Sequence, residues 1–213
     1  MEIASSLQNK YSVNSPIFID EIRSMFSNLS KIRVAQLIQE SIDDGKLARF
    51  GIGIYYIPSK TILGNSTLSV TEVVEKKYIK NGKDVYGFYC GINFMNILGI
   101  TTQVPNSYEI MTNKESTRVR KIKMENQEVI LRKARLEINK ANCRTLQFLE
   151  FVTSTKVELL LNNREKIYDY FEMNLDKKEI INYMTKFPAK TIKRLYILEI
   201  LWNYIKKKSC FLK

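Results

Sequence analysis

Residues 45–58 read G-K-L-A-R-F-G-I-G-I-Y-Y-I-P, the pattern of a short β-ribbon. Leu47, then Ile52, Ile54 and Tyr56, alternate with Gly51, Gly53 and Tyr55 before Pro58 closes the stretch. The glycines permit the positive φ angles of a tight hairpin turn. Lys46 and Arg49 put positive charge at the ribbon's start. Just upstream, Asp43-Asp44-Gly45 ends a helical pattern, and Gly45 is a natural C-cap. Helix, glycine and small basic ribbon, in that order, predict the end of a winged helix-turn-helix, so the reading starts from DNA.

Working back from the ribbon, residues 31–44 predict a helix with Ser30 as its N-cap, the hydroxyl accepting from backbone N–H groups two or three residues on. At 100° per residue Val34, Leu37, Ile38 and Ile42 share one arc and face the core, with Arg33, Gln36, Gln39 and Asp43 opposite. Arg pairs bidentately with guanine and Gln with adenine, while Ser30 and Lys31 suit phosphates. The same face also fits an ordinary solvated helix, since Arg and Gln are good helix formers. Asn28-Leu29-Ser30 reads as a turn, preceded by a second short helix with Phe18, Ile22, Met25 and Phe26 on one side and Asp20 as N-cap or first-turn residue. Pro16 separates it from a first helix over residues 2–11, where Ile3 and Leu7 share a face.

The chain has 213 residues, 45% of them hydrophobic, enough for one large domain or two small ones. Its net charge of +12 and pI near 9.5 suit a polyanionic partner. That charge is uneven. Residues 1–60 carry seven Lys/Arg against six Asp/Glu, whereas 114–140 carry nine against four and 186–213 eight against one. Because phosphate contacts supply sequence-independent affinity, the N-terminal module alone should bind DNA weakly, helped by dimerisation or by the second domain.

Residues 60–69, with Gly64-Asn65-Ser66-Thr67, read as a polar linker between domains 1–60 and 66–213. A short helix over 70–78, a turn at Asn81-Gly82, an aromatic stretch at Tyr86, Phe88 and Tyr89 and a helix over 92–98 ending at Gly99 follow. The aromatics lack interleaved Lys/Arg and read as core. After a strand at 108–112, residues 117–124 and 127–134 alternate around Glu125-Asn126, predicting a hairpin with one apolar and one basic face. Arg118, Arg120, Lys121, Lys123, Arg132 and Lys133 form a candidate surface for a partner or nucleic acid; a solvated face guarded by lysines against edge pairing fits them equally. Beyond Asn139 the pattern is helical: Leu146, Leu149 and Val152, then 157–173, then Ile180, Ile181 and Met184, and after Pro188 a last helix with Ile192, Leu195, Tyr196, Leu198, Leu201, Trp202 and Ile205. The 206–208 lysines suit a helix C-terminus.

The sequence has no histidine, which removes Ser-His-Asp and Cys-His catalysis and every His-containing metal site. No phosphate-cradling G-x-x-x-x-G-K-[ST] and no G-x-G-x-x-G opening a helix occurs, and no carboxylate cluster stands out. Neither an enzyme nor a cofactor nor a metal is expected. Cys90, Cys143 and Cys210 are scattered and read as reduced thiols. The N-terminus lacks a long apolar core and the most apolar late segment is interrupted by Glu199 and Asn203, so the expectation is a soluble cytoplasmic protein.

Three stretches carry a resemblance. S-P-I-F-I-D-E-I with S-K-I-R-V-A-Q-L-I-Q-E-S-I-D-D-G-K-L-A-R-F-G-I-G-I-Y-Y-I-P, the middle Y-G-F-Y-C-G-I-N-F-M-N-I-L-G-I-T-T-Q-V-P-N with Y-E-I-M-T-N-K-E-S, and F-P-A-K-T-I-K-R-L-Y-I-L-E-I-L together resemble the AbiEi-like family. These are abortive-infection antitoxins of AbiE-type toxin–antitoxin systems, grouped with related transcriptional regulators. The resemblance implies an α+β protein, an N-terminal winged helix-turn-helix followed by a larger mixed α/β domain with a helical C-terminal part. It implies repression of its own promoter through inverted repeats, a dimer on DNA, and a C-terminal domain that counteracts a nucleotidyltransferase-like toxin without a stable complex. The DNA-reading positions would be Ser30, Lys31, Arg33, Gln36 and Gln39, with Lys46 and Arg49 on the wing. The competing reading is an interaction module whose winged helix contacts a protein or RNA partner rather than reading DNA.

Overall fold

The computed structural model describes residues 3–62 and 64–200. It is mixed α+β, in two compact units that divide between Lys77 and Tyr78.

In the first unit, α1 (Ile3–Lys10), β1 (Ile17–Phe18), α2 (Ile19–Met25), α3 (Lys31–Asp43), β2 (Ala48–Gly51) and β3 (Ile54–Tyr56) follow one another. Ile3, Leu7, Ile22, Val34 and Ile38 are buried in one cluster, so the three helices share a core. Burying such a side chain is worth about 1.5–3 kcal/mol, against about 0.2–0.5 kcal/mol for a pair on the outer surface. The apolar arc therefore decides how α3 is turned. Leu37 and Ile42 pack at the margin of the same cluster. Ser41 is also buried; its hydroxyl donates to the Leu37 carbonyl, and its own carbonyl accepts from Lys46 and Leu47 N–H. Gly45, at φ +69°, makes the left-handed turn that lets the chain leave α3 for the sheet.

The expected two-stranded ribbon is a three-stranded antiparallel sheet in the order β1-β3-β2. Ile17 and Phe18 form a strand rather than part of the second helix, and Phe18 stands at its N-cap, where its N–H donates to Glu21 Oε2 at 2.8 Å. Asp20 is a first-turn residue. Because β3 is central, Ile54, Tyr55 and Tyr56 are all buried, and the strict alternation read from the sequence fails there. Ile52 sits in the turn and is wholly exposed.

The segment expected to be a linker is folded. β4 (Lys60–Thr61) and β5 (Gly64–Asn65) pair as a hairpin. At its base Ser59 N–H donates to Ser66 Oγ at 2.9 Å, and Ser66 Oγ donates to Asn14 Oδ1 at 2.5 Å. α4 (Val70–Val74) follows, with Ser69 as its N-cap, and winds into a wider π-type turn at Glu75–Ile79.

The second unit carries β6 (Lys80–Asn81) and β7 (Asp84–Val85), a small hairpin, then a four-stranded sheet and a helical layer. β8 (Gly87–Tyr89), β9 (Ser107–Thr112), β10 (Val119–Met124) and β11 (Gln127–Lys133) stand in the order β10-β11-β9-β8, with α5 (Gly91–Ile97) between β8 and β9. β11 lies parallel to β9 and antiparallel to β10. The helices are α6 (Cys143–Ser154), α7 (Val157–Asn162), α8 (Arg164–Asn174), α9 (Lys177–Met184) and α10 (Ala189–Ile197). The single pattern expected over 157–173 is broken at Asn163, whose side-chain amide donates to the Leu159 carbonyl. α6 buries Leu146, Phe148, Leu149, Phe151 and Val152, and Phe94 meets Phe151 and Tyr170 edge-on. Phe88 joins this core, as the aromatic stretch led one to expect. Arg194 donates to the Val152 carbonyl at 2.9 Å and also to that of Thr153, fixing α10 to α6 near the end of α6. Glu2, Leu201, Trp202, Ile205, the 206–208 lysines and Cys210 lie outside the described residues. Among the described residues no helix is long and apolar enough to cross a membrane.

Candidate nucleic-acid interface

Three helices and a short sheet leave one face of α3 bare. Arg33, Gln36 and Gln39 are exposed on it, and Lys31 is exposed in the first turn of the helix. Ser30 caps the helix, its hydroxyl oxygen accepting from Arg33 N–H at 3.2 Å, so the hydroxyl proton stays available to a donor-seeking anion. Lys31 has no carboxylate partner among the described residues.

The polar residues are tied along the helix. Arg33 Nη1 lies 3.3 Å from Gln36 Oε1 and 3.4 Å from Glu40 Oε1, and Gln39 Nε2 donates to Asp43 Oδ1 at 2.9 Å. Arg33 and Glu40 are half exposed, and such surface pairs hold about 0.2–1 kcal/mol. An arginine so weakly held can exchange Glu40 for a guanine edge, a contact worth about 1–3 kcal/mol of discrimination. Glu40, Asp43 and Asp44 make the far end of the face acidic. A phosphate backbone would be admitted at the Ser30–Lys31 end and repelled at the other.

At the ribbon, Lys46 Nζ lies 3.3 Å from Asp44 Oδ2, and the exposed Arg49 guanidinium stands 5.6 Å from the Tyr55 ring centroid. The structure thus puts Arg33, Gln36 and Gln39 on one helix face and Ser30 and Lys31 at the helix's N-terminal end, with Lys46 before β2 and Arg49 on it.

The second expected surface is divided. Strand register places Lys121, Lys123 and Arg132 on one face, and Arg120 on the other, beside Ile122 and Leu131. The outward face also carries Glu128, 3.3 Å from Lys121, and Glu109, 3.4 Å from Arg132. Arg120 Nε donates to Glu115 Oε2 at 2.7 Å. Glu115 is buried and also accepts from Ser116 N–H, Thr117 N–H and the Thr117 hydroxyl. The Thr117 backbone bond, aided by the Thr117 hydroxyl and the Arg120 guanidinium, overcomes desolvation and lowers the Glu115 pKa. Glu115 and Arg120 are therefore a folded turn rather than part of an open basic strip. Arg118 lies before β10 and Lys133 at the end of β11.

Sequence reading missed Arg135, Glu150 and Ser116, which line a cleft with Arg118, Arg132 and Lys133. Arg135 simply continues the basic run 132–135; Glu150, on α6, carries no local signal that would bring it there. Compared with known proteins, the chain matches no family model and no curated protein.

Proposed function

We propose that the first unit is a winged helix-turn-helix, with α3 as its DNA-reading helix and the β2–β3 turn as its wing. The observation that carries this is one of order and place. Helix, strand, helix, turn, helix and two-stranded ribbon close into a sheet of order β1-β3-β2, and leave Arg33, Gln36 and Gln39 outward on the one helix that follows a short turn. On that reading the protein represses transcription from its own promoter, binding inverted repeats as a dimer. The resemblance to the AbiEi-like family extends the proposal to an antitoxin of an AbiE-type system, whose second unit counteracts a nucleotidyltransferase-like toxin in the cytoplasm during phage defence.

The test is binding to the duplex immediately upstream of the gene, titrated against scrambled duplex at two salt concentrations. A preference that survives the higher salt supports direct readout. Alanine at both Arg33 and Gln36 should abolish that preference; unchanged selectivity would remove α3 from the role.

A second reading is favoured by charge. The first unit, residues 1–77, carries nine basic against eight acidic side chains, and Ile32 and Ile52 are exposed beside the basic residues. An interaction module would use the same face against a protein or RNA. Binding of RNA but not duplex DNA would decide for it.

A further inference from the structure

The β10–β11 ladder ends where Val119 pairs with Arg132; Arg118 precedes β10 and Lys133 is the last residue of β11. Neither has a carboxylate partner among the described residues. Both line an open cleft of about 620 Å³ together with Arg132, Arg135, Ser116 and Glu150. Arg132 and Arg135 each meet a carboxylate. Arg132 Nη2 is 3.4 Å from Glu109, and Arg135 Nε, rather than an Nη group, donates to Glu150 Oε2 at 2.8 Å. The Arg135 guanidinium, held at hydrogen-bond distance by the buried Glu150, loses less freedom on binding than a free arginine would.

Counting charge decides the ligand class. Four cations against Glu109 and Glu150 leave +2, uncompensated at Arg118 and Lys133. A phosphate monoester carries about −1.5 to −2 near neutral pH, whereas a backbone diester carries only one negative charge. Arginine forks match phosphate oxygens in pairs, and the Ser116 hydroxyl adds a donor. The cleft has no aromatic lining on which a base could stack.

We infer that this cleft of the second unit is a binding site for a phosphate monoester, the terminal phosphate of either a nucleotide or a nucleic-acid strand. It is independent of the reading of α3. The test is calorimetric titration of the full chain with two matched pairs: a nucleoside 5′-monophosphate and its nucleoside, and a single-stranded hexanucleotide with 5′-phosphate or 5′-hydroxyl. In at least one pair the phosphorylated member should bind at least tenfold tighter, and the pair that does so identifies the source. Arg118→Ala with Lys133→Ala should remove that advantage, while Lys140→Ala with Lys156→Ala, two exposed lysines outside the cleft, and Arg33→Ala with Gln36→Ala should keep it. Arg118 and Lys133 are exposed, so melting temperatures should match wild type; Lys133→Gln alone, expected to weaken binding several-fold, guards against misfolding of the double variant. No preference for the phosphorylated member in either pair, or equal losses in the cleft and Lys140/Lys156 variants, overturns the proposal.

Discussion

Lys76 reaches back across 55 residues to Glu21, with Nζ 2.8 Å from Oε2 and both side chains largely buried. The same ammonium donates to the Pro16 carbonyl at 2.7 Å and stands over the rings of Tyr11 and Phe18. Glu21 in turn accepts from Phe18 N–H, so one carboxylate joins the start of α2 to the segment after α4. Replacing Lys76 with Met keeps much of the volume but strands that carboxylate. The expected loss is about 1–3 kcal/mol, read from the midpoint of urea unfolding; an unchanged midpoint would mean that the pair merely decorates the surface.

Of the glycines in the second unit, Gly87 leaves the least room for a side chain. A Cβ there would lie 2.1 Å from the Tyr78 carbonyl oxygen and 2.9 Å from that of Met111. Both are main-chain atoms and cannot swing aside. Gly87→Ala should cost at least the roughly 1–3 kcal/mol of ordinary overpacking, seen as a drop in melting temperature, whereas Gly82→Ala, with open space around it, should suffer only from its positive φ.

Acid stability should depend on Glu115. Its folded pKa is depressed chiefly by the Thr117 backbone hydrogen bond, so it binds protons less readily than in the unfolded chain. The stability it contributes is full above its unfolded pKa, about 4.3, and is lost as pH falls through the lower folded value. Stability measured between pH 6 and 3 should fall less steeply in Glu115→Gln than in wild type, although the variant starts lower. Parallel curves would show that the turn does not sense ionisation.

Cys90 is buried and its thiol pKa is pushed up to about 12, first by desolvation and then by Glu109. At pH 8 roughly one molecule in ten thousand carries the thiolate that alkylates. Iodoacetamide should therefore leave Cys90 unmodified in the folded protein and label it in urea, as followed by peptide mass spectrometry. Rapid labelling without denaturant would contradict its burial.

Much of this architecture is legible in the sequence, because it rests on local signals. Ser30 caps α3, Val34 and Ile38 mark its inner face, Gly45 ends it, and the turn at Glu125-Asn126 sets the hairpin; each acts within a few residues. What the sequence concealed depends on partners far along the chain. Ile17–Phe18 is a strand only because Tyr55 and Ile54 come to pair with it. Residues 60–69 look like a linker until Asn14 supplies an acceptor for Ser66. The face of α3 followed from helical period alone, but not its ties to Glu40 and Asp43. The cleft was half visible: Arg118, Arg132 and Lys133 were candidates, while Glu150 enters from another layer of the fold.

The pairing of β11 with β9 also bears on how the chain is made. β10 and β11 can zip together as soon as they exist, since two residues join them. β9 cannot gain its neighbour on that side until β11 has been synthesised and has slipped in beside it, with β10 left outside. During translation β9 therefore leaves the ribosome with an open edge and waits for Lys133 to follow. The sheet of the second unit cannot be completed before β11 has left the ribosome.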